Sequence, residues 1–284
     1  MNWFFLTILS AIFGSLTRIL QKTLLKDKDS DPFAFGFVFQ LLVSFLFLCY
    51  TLVTNTLEFP NLSGLLLNIF IMAIFYSLGN ILTFKAFSLA EASEVSIILS
   101  SSTIWSVITA TILLNEKVTT KNIIGIVSIV LGIVVINYTK KSWMVNKGHL
   151  YALAGAMLFG FAFTNDAFIV NRYSSISSYM IIAFSLPAIL SLALNPKSFK
   201  KISTYTKSSV LPSLLLCSIV YALSAITIFS AYKIGGKASV ISPIQQSSTI
   251  LTVIFSYFLL KEKDKLPNKI IGTILTFIGV LLLI

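Results

Sequence analysis

Long apolar stretches, separated by short polar stretches, run along the whole chain. A helix needs about 20 apolar residues to cross a bilayer. Ten stretches are near that length, at residues 3–21, 33–54, 64–84, 95–114, 122–138, 148–170, 177–194, 210–231, 238–260 and 268–284. Apolar residues follow one another within them, without the alternation typical of a membrane β-barrel. The sequence therefore predicts an all-α integral membrane protein with ten transmembrane helices.

The composition supports a membrane location. Of the 284 residues, 56% are hydrophobic and 11% are charged, whereas a soluble domain has about 25% charged residues. The formal net charge of +11 would suit a nucleic-acid partner, but the basic residues are divided among short connections and form no basic stripe. We therefore expect a multi-pass protein of the cell membrane, in contact with the lipid bilayer and with no nucleic acid.

The two halves of the chain repeat each other. A shift of 145 to 147 residues aligns identical residues, among them Tyr76 with Tyr221, Thr103 with Thr249, Gly125 with Gly272 and Gly132 with Gly279. The first repeat is predicted at 1–140 and the second at 147–284, with five spans each. Because five is odd, the second repeat enters the membrane from the opposite side. Inverted repeats around a central site are typical of transporters that work by alternating access.

Residues 86–136 and 231–284 carry the strongest similarity between the repeats. Each contains a Leu-Leu-X-Glu-Lys turn, at 113–117 and 259–263, followed by two glycines seven residues apart. In this pattern the chain resembles the EamA-type drug/metabolite transporters. The resemblance implies ten helices, transport of a small organic solute, and a central cavity lined by the first, third, fourth, sixth, eighth and ninth spans. It also implies that both termini lie inside the cell, and it identifies no solute.

The basic residues indicate the opposite orientation. Of the 21 lysines and arginines, 15 lie in connections after odd-numbered spans and 5 in connections after even-numbered spans. Because basic connections stay in the cytoplasm, this count places both termini outside. The orientation therefore stays open, as do the direction of transport and the choice between monomer and homodimer.

A charge inside an apolar stretch is costly and points to function. Arg18 lies near the end of the first span, and Asp166 follows Asn165 in the sixth. The two residues could form a gate between the repeats. Alternatively they could bind a solute, in which case Arg18 would hold a carboxylate or phosphate of the solute and Asp166 would hold an amine or a proton. A competing interpretation is that Arg18 reaches the lipid headgroups, as Lys22 would one turn later.

Other candidates for solute binding are amides and aromatic rings inside the spans. Gln245 shares one helical face with nearby serines and threonines, although such hydroxyls also connect packed helices. Aromatic rings would form cavity walls or anchor the helices at the membrane surface. The full predicted substrate-binding set is Arg18, Tyr76, Asn80, Trp105, Asn165, Asp166, Tyr221, Gln245 and Gln246.

Three features are assigned to the scaffold. The seven-residue spacing puts both glycines of a pair on one helix face, which predicts close packing of the fifth and tenth helices. Glu116–Lys117 and Glu262–Lys263 lie in turns between spans and would serve as interfacial ion pairs or helix caps. His149 lies at a span boundary, where we expect an interfacial role.

These patterns favour a secondary transporter, not an enzyme, that moves a small polar or amphipathic organic metabolite such as an amino acid. Neither a cofactor nor a metal site is predicted, and coupling to a proton or a counter-solute stays open. The alternative is a membrane enzyme or flippase acting on a lipid-linked substrate. It rests on Asp27, Asp29 and Asp31, which could hold Mg²⁺, but an enzyme gives no reason for the inverted duplication.

Overall fold

The structure is a computed structural model that describes residues 2–26, 30–58, 64–114, 119–137, 146–170, 175–234 and 238–282. Every regular element within these ranges is helical, so the all-α prediction is confirmed. The α-helices are α1 Trp3–Leu25, α2 Pro32–Val53, α3 Leu66–Leu89, α4 Ala92–Leu99, α5 Ser102–Leu114, α6 Thr120–Asn137, α7 Lys147–Val170, α8 Ile176–Leu194, α9 Ile202–Thr206, α10 Leu211–Lys233, α11 Ala238–Phe255 and α12 Leu266–Leu282. A 3-10 helix, Pro196–Lys201, precedes α9, and a π-helical turn, Ser256–Leu260, follows α11.

Five helices in the described part of the chain are long and apolar enough to cross a membrane. They are α1, α2, α3, α8 and residues 211–231 of α10. Shorter apolar helices cover 120–135, 247–260 and 266–282. The chain is therefore a multi-pass membrane protein, and the count of ten crossings stays a prediction.

The fourth predicted span is not one continuous helix, because it breaks at Ser100 and Ser101 into α4 and α5. The Ser100 hydroxyl donates to the carbonyl oxygen of Ser96 at 3.1 Å, and the Ser101 hydroxyl donates to that of Ile98 at 2.7 Å. Serine side chains that bond to the preceding turn compete with the backbone ladder and weaken a helix. The run of serines thus explains an interruption that apolarity alone did not predict.

Helices of the two repeats pack mainly against each other. α1 packs against α10 and α11, whereas α7 packs against α3 and α5. α2 packs against α8, and α6 packs against α12. In the numbering of predicted spans these are pairs 1–8, 1–9, 6–3, 6–4, 2–7 and 5–10. Spans 1–5 correspond to spans 6–10, so each pair has its equivalent in this set, and the packing follows the symmetry of the repeats. The repeats are therefore interlocked, and residues from both can meet in the centre of the bundle.

The glycine pairs bring α6 and α12 into backbone contact, as their spacing predicts. A Cβ atom on Gly132 would lie 2.6 Å from the carbonyl oxygen of Gly272, and one on Gly279 would lie 2.6 Å from that of Gly125. Each repeat thus supplies the same contact to the other. Such close approach is possible only where side chains are absent, and it stabilises helix pairs through van der Waals packing.

Candidate functional site

Asp166 lies on α7, where two tyrosines hold its carboxylate. Tyr179 of α8 donates to Oδ1 at 2.5 Å, and Tyr76 of α3 donates to Oδ2. The ring of Tyr76 packs against Phe159 and Phe163, with centroids 5.9 and 6.4 Å apart. Within the described residues, no lysine or arginine forms an ion pair with Asp166. The result is a carboxylate that is fixed in position and that has no ion-pair partner among the described residues.

Arg18 of α1 and Gln245 of α11 present polar atoms that lack partners. Nη1 of Arg18 and Oε1 of Gln245 are both buried. Within the described part of the chain, Nη1 donates no hydrogen bond and Oε1 accepts none. Nε2 of Gln245 lies 3.7 Å from where a Cβ atom on Gly14 would be, and Gly14 precedes Arg18 by one turn on the same face. A buried polar atom without a partner is costly, and such exceptions in a native fold require an explanation.

Tyr221 of α10 lies near both Arg18 and Asp166. Its ring packs edge-on against Phe39 and Phe184, with centroids 5.3 and 5.5 Å apart. It lies close enough to both Arg18 and Asp166 to interact electrostatically with each charge. We define the polar centre as the residues that share this location, namely Arg18, Tyr76, Asp166, Tyr179, Tyr221 and Gln245.

Two predicted site residues, Asn165 and Asn80, form hydrogen bonds with residues outside the polar centre. Asn165 accepts a hydrogen bond from Nδ2 of Asn68 at 2.7 Å and donates to the Asn68 carbonyl oxygen at 2.9 Å, which joins α7 to α3. Asn80 donates to Oε1 of Gln40 at 3.1 Å, which joins α3 to α2. These bonds satisfy amides between packed helices. They favour a packing role, and solute binding by either residue stays a prediction.

Trp105 also takes part in helix packing. Its ring lies 6.2 Å from that of Phe161, and its Cβ atom would be 2.3 Å from a Cβ on Gly160. The absence of a side chain at Gly160 therefore admits α5 close to α7. This contact favours the scaffold interpretation of Trp105.

The structure provides no support for a direct gate between Arg18 and Asp166. Both residues are described, and no ion pair joins them. The interpretation that the basic residues of α1 reach the headgroups is not supported either, because Nη1 of Arg18 is buried. Nζ of Lys22 donates to the carbonyl oxygens of Phe87 and Ala90, at 2.7 and 2.6 Å, and so binds the end of α3.

The polar face of α11 is buried, and part of it bonds to a neighbouring helix. Ser248, Thr249 and Thr252 are all buried. The hydroxyls of Thr249 and Ser100 lie 2.9 Å apart, which ties α11 to the break between α4 and α5. The side chain of Gln246 lies outside the described residues, so its predicted role stays a prediction.

The acidic residues proposed for Mg²⁺ have a structural explanation where they are described. Oδ1 of Asp31 accepts from the backbone N–H groups of Phe33 and Ala34, at 2.9 and 3.0 Å, and caps α2. Asp27 and Asp29 lie outside the described residues, as do Glu116 and Lys117. Among the described residues, no group of three metal-binding side chains is present.

Tyr179 is the member of the polar centre that the sequence did not indicate. It lies near the start of α8, whose other residues are apolar or serine, and it is completely buried. At a shift of 146 residues its counterpart is Phe33, so comparison of the repeats does not mark it. A signal was available in its hydroxyl, since a buried tyrosine usually needs a hydrogen-bond partner.

Comparison with known proteins gives a family. The family described as "EamA-like transporter family" matches the chain twice, over residues 1–138 and 146–284. A protein of known crystal structure shares 14% sequence identity, with a TM-score of 0.66 over 99% of this chain and 94% of that chain. This likeness concerns the fold alone, and no curated protein matches the sequence. The two family matches together span almost the entire chain, which belongs to the EamA-like transporter family.

Proposed function

We propose that this protein is a secondary transporter of the cell membrane for a small organic solute with both a carboxylate and an amine, such as an amino acid. The observation that carries the proposal is the pair of buried, unpartnered atoms in the polar centre, Nη1 of Arg18 and Oε1 of Gln245. A buried cation is costly unless an anion and hydrogen bonds compensate it. A bound carboxylate would supply that compensation.

The chemistry of the polar centre suits a zwitterion. The planar guanidinium of Arg18 can donate two parallel hydrogen bonds to a carboxylate, and the Gln245 oxygen can accept one from an N–H group. Asp166 offers the opposite charge for an ammonium group, and Tyr76 and Tyr179 fix its orientation. Tyr221 lies near both charges and presents an aromatic ring to the solute.

The predicted repeats support alternating access. The predicted repeats, 1–140 and 147–284, would cross the membrane five times each in opposite directions. The polar centre takes Arg18 and Tyr76 from the first repeat and Asp166, Tyr179, Tyr221 and Gln245 from the second. A solute bound between the repeats would be exposed to either side as one repeat rocks against the other.

Uptake into proteoliposomes tests this proposal. We expect vesicles that contain the purified protein and unlabelled amino acids to exchange them for labelled amino acids from outside, whereas empty vesicles should not. Translocation of a labelled lipid, without exchange of any amino acid, would favour the flippase alternative. Consumption of a lipid substrate would favour an enzyme.

Substitution of Asp166 tests the amine contact. We expect Asp166→Asn to reduce uptake of a zwitterionic solute about tenfold to 100-fold, because a charge-assisted hydrogen bond contributes roughly 1.5–3 kcal/mol. A carboxylate analogue without the amine should lose much less, since it makes no ion pair with Asp166. Competition assays with the two solutes measure this difference. Equal losses for both solutes would contradict an amine contact and would indicate a structural role.

A further inference from the structure

Seven ionisable side chains meet at one end of the bundle, where α1 and α3 end and α4, α7 and α12 begin. Four of them, Glu94, His149, Glu262 and Lys269, are only 7, 4, 7 and 1% exposed. This concentration of charge is separate from the polar centre and has no part in the solute contacts. We name it the ionic cluster, and its members are Lys22, Glu91, Glu94, His149, Glu262, Lys265 and Lys269.

The ion pairs of the cluster join the two repeats. Nζ of Lys269 on α12 binds the carboxylate of Glu91, which precedes α4. Nε2 of His149 on α7 lies 3.0 Å from Oε2 of Glu94, and Nζ of Lys265 lies 3.8 Å from Oε1 of the same residue. Burial raises the pKa of Glu91 above its ordinary value, and the Lys269 ammonium opposes that rise.

Glu262 adds a fourth contact between the repeats, at the first turn of α4. Its carboxylate accepts from the backbone N–H of Ala92 at 2.8 Å, the N–H of Ser93 at 3.2 Å and the hydroxyl of Ser93 at 2.7 Å. An anion at the N-terminus of a helix satisfies free N–H groups and the helix dipole. The turn between α11 and α12 thus supplies a residue that caps a helix of the other repeat, in agreement with the cap predicted for Glu262.

These contacts all involve the start of α4. Buried ion pairs are rarely more stabilising than apolar packing, but breaking one by removing a single partner is costly. Every contact named above fixes α4 or its N-cap to the second repeat. α4 leads directly towards Ser100, which bonds to Thr249 on α11. The position of α4 is therefore set by charges at its beginning and by a hydroxyl contact at its end.

We propose that the ionic cluster is a latch that holds α4 against the second repeat and closes the polar centre towards this end of the bundle. Glu91, Glu94 and Glu262 are positioning residues, with Lys265, Lys269 and His149 as their partners. Opening to this side requires these pairs to separate while the glycine contact between α6 and α12 persists. The latch rests on the alternating access of the proposed function.

A cysteine at Ser96 tests the latch, because this residue is fully buried on α4 and its hydroxyl has no partner in the described chain. In a background without Cys49 and Cys217, we expect Ser96→Cys to react slowly with a membrane-impermeant thiol reagent. Lys269→Ala or Glu91→Gln should accelerate this reaction about tenfold or more. Glu91→Gln leaves the buried Lys269 ammonium without its ion pair, and Lys269→Ala removes the partner of the partly buried Glu91 carboxylate. The reversed pair, Glu91→Lys with Lys269→Glu, should restore the slow rate.

Sidedness and folding are controlled within the same experiment. Ser203→Cys on the exposed surface of α9 identifies the membrane face at this end, because Tyr205 of α9 bonds to Asp31 at the start of α2. The acceleration should occur from that face. If Lys269→Ala does not fold, Lys265→Gln removes a contact from a partly exposed side chain and should give a smaller acceleration in the same direction.

Two results would overturn the latch. Folded Lys269→Ala, Glu91→Gln and Lys265→Gln proteins that react at the slow rate would show that the cluster does not close the cavity. Faster labelling of Ser96→Cys from the opposite face alone would show that the ionic cluster does not close the cavity towards its own end of the bundle. Labelling needs no solute, so an incorrect solute assignment leaves this test intact, and normal uptake with a failed labelling test would reject the latch alone.

Discussion

Replacing Arg18 by alanine is expected to reduce uptake of a carboxylate-bearing solute by roughly 100-fold or more, because two charge-assisted hydrogen bonds to the guanidinium are lost. Stability should respond differently. Nη1 of Arg18 has no partner among the described residues, so its removal leaves none of their groups unpaired at that atom. The melting temperature in detergent should therefore stay constant or rise while transport falls.

A conservative variant and a matched pair of solutes sharpen this test. Arg18→Lys keeps the charge but cannot form two parallel hydrogen bonds, so its uptake should lie between those of the wild type and Arg18→Ala. An amino acid should compete for uptake much better than its amide in the wild type, and this preference should vanish in Arg18→Ala. An unchanged preference, or a fall in melting temperature that parallels the loss of uptake, would assign Arg18 to the scaffold.

Replacing Gly279 by alanine is expected to lower the free energy of unfolding by about 1–3 kcal/mol, as overpacking of a tight contact does. The added Cβ would lie 2.6 Å from the carbonyl oxygen of Gly125 and 2.8 Å from the backbone nitrogen of Ile129. Backbone atoms cannot rotate away as a side chain can, so α6 and α12 must separate. Gly132→Ala should behave similarly because it meets the carbonyl oxygen of Gly272.

Gly64→Ala is the matched control for this substitution, since a Cβ there meets no atom of the described residues within 4 Å apart from its chain neighbours. Thermal unfolding of the purified variants in one detergent compares them directly. Gly279→Ala with the melting temperature of Gly64→Ala would contradict the close contact between α6 and α12. Loss of stability in Gly64→Ala alone would contradict it equally.

The sequence predicted those features that depend on local pattern. Apolar runs located the helices, because the bilayer requires both a minimum length and an apolar surface. Glycine spacing located the contact between α6 and α12, because a seven-residue interval returns to one helix face. Charges within spans marked Arg18 and Asp166, because burial makes a charge too costly to keep without a role.

The remaining features depend on which distant residues meet. Nothing near Asn165 in the sequence indicates Asn68 as its partner, 97 residues away. His149 lies at a helix start, where an interfacial role was expected, yet it is buried against Glu94. The ionic cluster combines residues from both repeats, so no single stretch of sequence displays it. Contacts of this kind arise from tertiary packing, which the period of apolar residues does not encode.

The break between α4 and α5 makes the two repeats unequal in shape although their sequences correspond. The equivalent positions in the second repeat, 246 and 247, lie inside α11, which is continuous. The hydroxyl of Ser247 nevertheless donates to the carbonyl oxygen of Ile244 at 2.6 Å, just as Ser101 donates to that of Ile98. If the repeats trade shapes during transport, α4 and α5 would straighten into one rod while α11 bends at 246–247. In the second end state, each repeat would then have the conformation that the other repeat has in the first.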